Sequence, residues 1–114
     1  MKYRKADQQP IEMDWAMADG VAIKWTKVAK RGDILPQHAH DYDHTTFIAT
    51  GSVKWTSEGG AQRLYYAPVA FTVEAHVKHM AEILEDGTTI LCIHNVSRTG
   101  RIEVEAEHEL VGAS

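Results

Sequence analysis

The stretch Gly32-Asp-Ile-Leu-Pro-Gln-His38-Ala-His40-Asp-Tyr-Asp-His44-Thr-Thr-Phe-Ile-Ala-Thr-Gly51 holds three of the chain's seven histidines in the pattern H-x-H-x3-H, bracketed by glycines. In an extended strand successive side chains point to opposite faces, so His38 and His40 share a face one pleat apart and can chelate one ion. His44 follows Asp41-Tyr42-Asp43, a polar run able to bend or bulge the strand and bring a third nitrogen to the same point. His79 is far off in sequence, and only folding can supply it as a fourth ligand. One histidine in a polar loop reads as a surface residue, whereas three at this spacing read as ligands of a metal.

Outward from this stretch the chain reads as short strands. Towards the N-terminus, Val21, Ile23 and Trp25 alternate with Ala22, Lys24 and Thr26, the pattern of a strand with one buried face. Before it, residues 1–20 show weak strand periodicity, through Ile11, Met13, Trp15 and Met17, and read as an arm, packed on a neighbour or on the body of the domain, ahead of a domain spanning 21–114. Lys30-Arg31-Gly32-Asp33 is a turn, and residues 34–40 form a strand that Pro36, which cannot donate to a ladder, assigns to an edge or a bulge. Residues 45–49 are β-branched and aromatic. Gly51 turns the chain into Val53-Lys-Trp-Thr56, Glu58-Gly59-Gly60 makes a hairpin, and residues 62–66 return. Phe71 and Val73, residues 79–84, the apolar run 88–94 and the alternating Ile102, Val104 and Ala106 supply the remaining strands. No window carries a helical stripe, so the fold class is all-β, a compact antiparallel barrel or sandwich.

Composition narrows the partners. Its 114 residues make one domain with 44% apolar and 25% charged side chains, the balance of an ordinary globular protein. The formal charge is −4 and the basic residues are scattered, which argues against nucleic acid and anionic membrane. The single cysteine, Cys92, lies in an apolar run, forms no internal disulfide and reads as a small buried hydrophobe in a reducing, cytoplasmic setting. No apolar stretch follows the basic N-terminus as a secretory signal would require, and no run approaches a membrane span.

Gly32, His38, His40 and Gly51 match the spacing of the first motif of the cupin superfamily, G-x5-H-x-H, three or four residues, a glutamate, six residues and a glycine, with His44 at the glutamate. Glu74-Ala75-His76-Val77-Lys78-His79 is similar to the second motif, with His79 on its histidine; Glu74 and His76 replace its proline and glycine, Pro68 stands at its leading glycine, and Ile83 at its asparagine. The chain thus resembles the small single-domain members, the cupin 2-like conserved barrels, over about residues 20–95. The resemblance implies a double-stranded β-helix (jelly roll) of six to eight strands with its metal inside one mouth. It also selects His79 over His76, since two residues three apart on one strand face opposite ways.

The ligand set is then His38, His40, His44 and His79, holding one divalent transition metal. Nitrogen donors suit iron, zinc, nickel, copper or cobalt better than magnesium or calcium. Around it an apolar pocket is expected, with Tyr42, Phe47, Trp55, Phe71 and Met80 as candidate walls and Tyr42 as the candidate catalytic group, its phenol hydrogen-bonding bound water or substrate. Asp41 and Asp43 are candidates to orient ligand imidazoles, while His94 reads as a hydrogen-bonded core or rim residue and His108 as exposed. The reading is a metal-dependent enzyme of oxygenase type on a small chelating organic substrate. The alternatives are a non-catalytic metal- or ligand-binding barrel and, further behind, a metal-free isomerase. The apolar residues of the arm need burial, which a homodimer exchanging arms or edge strands provides.

Overall fold

The computed structural model describes residues 12–27, 29–36 and 42–95. They form nine strands: β1 (Met13–Ala18), β2 (Val21–Thr26), β3 (Ile34–Pro36), β4 (His44–Thr50), β5 (Ser52–Ser57), β6 (Gln62–Tyr66), β7 (Val69–Val73), β8 (His79–Ile83) and β9 (Thr89–Asn95). Two antiparallel sheets result, β1-β2-β9-β4-β7 and β3-β8-β5-β6, facing one another across a single core.

The alternation read along the chain decides which side chains meet. On β2, β9 and β4 the inward residues are Ala22, Lys24 and Thr26; Ile90, Cys92 and His94; and His44, Thr46 and Ile48. On the opposing sheet Val53, Trp55, Ala81 and Ile83 point in, joined by Leu35. The core is Leu35, Ile48, Val53, Trp55, Val73, Ala81, Ile83, Ile90 and Cys92, each nearly or fully closed to solvent. Burial of each large aliphatic member contributes about 1.5–3 kcal/mol.

Two ends of the barrel differ in chemistry. One is closed by hydroxyls: Thr26 Oγ1 donates to the Thr88 carbonyl at 3.2 Å and accepts from Ile90 N at 3.0 Å, while Ser52 Oγ donates to Glu85 Oε2 at 2.6 Å. Gly51 makes the β4–β5 turn here at φ +81°. The other end carries His44 at the start of β4, His94 near the end of β9 and His79 at the start of β8.

β3 is short and stands at a sheet edge, the place Pro36 requires. β1 places the weakly alternating arm as a strand on the body of the domain. Asp19 and Gly20, both at positive φ, form a tight two-residue turn that folds residues 13–18 of the expected arm back onto β2. The last expected strand, around Ile102–Ala106, lies outside the described residues.

Candidate functional site

The imidazole end is assembled by register. Ala22 pairs with His94, His44 pairs with Val73, and the Thr45–Ile93 pair brings His44 beside His94 on the inner face of the five-stranded sheet. Both histidines are buried, and their rings stack with centroids 4.8 Å apart and planes 22° from parallel. Tyr42 meets both rings edge-on, and its hydroxyl lies 3.2 Å from His94 Nδ1. Asp43 accepts a hydrogen bond from Ala75 N at 2.7 Å, tying the start of β4 to the β7–β8 loop.

His79 sits on the other sheet, 6% exposed, opposite Ser57 and beneath Trp55 at a ring distance of 5.3 Å. Its Nδ1 is enclosed and has no hydrogen-bond partner among the described residues. Burial pushes its pKa below the ordinary histidine value; the Val77 backbone, Glu74 and Glu58 pull the other way without overcoming it. The imidazole is therefore held in its neutral, lone-pair-bearing form near neutral pH.

Beside His79 lies a cavity of about 400 Å³ walled by Trp55, Tyr65 and Phe71, with Ser57, Arg63 and Glu74 as polar lining. Tyr65 and Phe71 stack with centroids 3.9 Å apart, and Trp55 meets Phe71 edge-on at 4.9 Å. A second cavity of about 460 Å³ touches His44, Asp43 and Asn95 at the end of the five-stranded sheet.

Of the expected ligands, His44 and His79 are thus buried at the same end, in different company, and His38 and His40 lie outside the described residues. Among the described residues no three histidine, cysteine or carboxylate side chains converge on one point. His76 is exposed in the β7–β8 turn at φ +67°. Of the candidate walls, Trp55 and Phe71 line the cavity and Tyr42 the histidine pair. Phe47 and Met80 alternate with the inward residues of their strands and face outward, Phe47 against Leu91 and Ala70, and Met80 in register with Thr56. His94 is buried as a core residue should be, but it stands in ring contact with a candidate ligand, an association that single-strand reading misses. Its signal is parity: His94 follows Ile90 and Cys92 on one face of β9 as His44 precedes Thr46 and Ile48 on β4.

The sequence matches no family model and no curated protein. Many solved structures share the fold. They include KdgF from Halomonas sp., 20% identical over 79% of this chain and 83% of that one, TM-score 0.64. A cupin superfamily protein from Desulfitobacterium hafniense is 17% identical over 80% and 82%, TM-score 0.64. An RmlC-like cupin family protein with a double-stranded β-helix fold from Methanocaldococcus jannaschii is 17% identical over 85% and 92%, TM-score 0.64. Two antiparallel sheets in one barrel, superposing on these proteins over about four fifths of the chain, give the protein the cupin fold in its small single-domain form.

Proposed function

We propose that this barrel binds one divalent transition metal through His38, His40, His44 and His79 and acts on a small chelating organic substrate, with oxygenase-type chemistry. The observation that carries the reading is His79: an imidazole enclosed by the core, kept neutral by burial, with an unbonded Nδ1. Leaving a buried polar atom unbonded costs about 1–3 kcal/mol, a cost that a metal bond would remove. The donors fit iron, zinc, nickel, copper or cobalt, since neutral imidazoles are nitrogen ligands. A bound ion of this kind supplies Lewis acidity, undiminished by any anionic ligand, toward an oxygen donor such as a carboxylate or enolate. Tyr42, whose hydroxyl reaches the histidine pair, is the candidate to hydrogen-bond a group bound there.

Elemental analysis of the purified protein tests the reading. One transition metal per chain is expected, largely lost in His44→Ala and in His79→Ala, with oxygen uptake by the ferrous protein on a chelating substrate. Failure of the wild type to take up iron, zinc, nickel, copper or cobalt overturns it. The stacking of His44 on His94 supports a second reading, a non-catalytic metal- or small-ligand-binding barrel, because a ring fixed in a stack is a structural element. A coordination sphere with no exchangeable position for an added ligand would favour that second reading.

The protein is read as a cytoplasmic homodimer. No helix among the described residues is long and apolar enough to cross a membrane. Trp15 and Met17, each 50% exposed on an edge strand, support burial against a second copy.

A further inference from the structure

The cavity beside His79 has a charge pattern that the metal reading leaves unused. Arg63 pairs directly with Trp55 across β5 and β6, and Val53 pairs with Tyr65, so Arg63 and Tyr65 both stand on the inner face of β6. Arg63 lines the cavity and forms no ion pair with any described residue. Glu74 lines the same cavity from the loop that leads from the end of β7 to His79 at the start of β8. The wall between is aromatic: the Tyr65–Phe71 stack, closed by the edge of Trp55.

Each feature selects part of a ligand. A guanidinium with unused donors binds a carboxylate, in bidentate geometry when the approach allows. A flat aromatic wall favours a planar or cyclic body over a flexible chain. Glu74 repels a second anion at the far end and accepts a hydrogen bond instead. We propose that the cavity takes a planar monocarboxylate, with its carboxylate on Arg63, its ring against Tyr65, Phe71 and Trp55, and a neutral hydrogen-bond donor facing Glu74. This deepens the proposed function and rests on it for the cavity being the substrate site, although the recognition itself needs no metal.

Calorimetric titration with 4-hydroxybenzoate tests it, on protein as purified and after chelator treatment, so that loss of metal and loss of recognition are read apart. Wild type is expected to bind the probe, and to bind terephthalate, which carries a second carboxylate, more weakly. Arg63→Gln should weaken 4-hydroxybenzoate by about tenfold or more while leaving neutral 4-hydroxybenzamide unchanged, and Arg63→Lys should recover part of the loss. Arg63 is exposed on an edge strand, so these variants fold as the parent does. Absence of binding in both preparations, or equal affinity in wild type and Arg63→Gln, overturns the proposal. Binding that depends on Arg63 in protein shown to hold no metal sustains it while the metal reading falls.

Discussion

Gly51 shows how tightly single residues are specified at the closed end. Its φ of +81° lies in the left-handed region, and a Cβ added there would meet the backbone of Thr88 at 2.8 Å and its side chain closer still. Thr88 cannot step aside, because its hydroxyl donates to the Glu85 carbonyl at 2.7 Å and accepts from Ser52 N at 3.3 Å. Gly51→Ala therefore adds overpacking to conformational strain and is expected to lower stability by about 3 kcal/mol, read from urea unfolding. Gly87 provides the contrast: at φ +78° with nothing within 4 Å of an added Cβ, its alanine variant should lose only about 1 kcal/mol. Equal losses at the two positions would show that the contact with Thr88 is relieved by movement of the turn. At the opposite end His79 is specified by the other extreme, a buried ring whose Nδ1 has no hydrogen-bond partner among the described residues.

Within the elements, alternation was the legible signal and convergence was not. β4 reads His44, Thr46, Ile48 on its inner face, and β9 reads Ile90, Cys92, His94 on its own, so each strand runs from aliphatic to polar toward the same mouth. Those faces follow from a period of two, and so do β2 and β5. The antiparallel barrel was legible from many such strands punctuated by glycine. The pairing of His44 with His94 was not, because register between strands 50 residues apart is fixed by long-range packing rather than by either sequence alone. β1 is legible only as the weak alternation of Met13, Trp15 and Met17, and Asp19-Gly20 between two alternating segments is the hairpin signal that ties it to β2. Arg63 passed unnoticed because only its register with Trp55 turns an exposed charge into cavity lining. Thr46 carries a prediction at this scale. Its hydroxyl is fully buried with no hydrogen-bond partner among the described residues, in the middle of β4 where Cys92 and Phe71 flank it in register. Thr46→Val keeps the shape and removes the desolvation cost, so it should stabilise by about 1 kcal/mol, seen as a higher urea midpoint at unchanged slope. A lower midpoint would show that the hydroxyl holds a water or ligand group in the barrel.

For the whole molecule, the five-stranded sheet ends in a strand whose outer hydrogen-bonding edge faces away from the barrel. Among the described residues β1 pairs only with β2, and it carries Trp15 and Met17 at 50% exposure on the side that continues the inner face of the sheet. An open edge with two large apolar side chains invites a second strand, and a two-fold axis at that edge would pair β1 with its copy and bring both sets of apolar side chains together. Other open apolar positions, Leu64 and Tyr66, lie on β6 at the edge of the other sheet, where Lys54 and Glu82 on neighbouring strands form an ion pair at 3.3 Å on the outer face. The expected mass by sedimentation equilibrium is therefore twice the 12.7 kDa of the chain. Trp15→Ser combined with Met17→Ser should shift the protein toward monomer with its fold intact, since neither side chain belongs to the core. Thr45→Lys, an exposed change on the sheet's outer face between Ile93 and Thr72, should leave the dimer in place. If Thr45→Lys dissociates the dimer and the β1 variant does not, the contact runs through the outer face, where Ile23, Trp25, Leu91, Ile93 and Phe47 stand in adjacent registers. The edge of β1 would then be free in solution, and the exposure of Trp15 and Met17 would need a different partner.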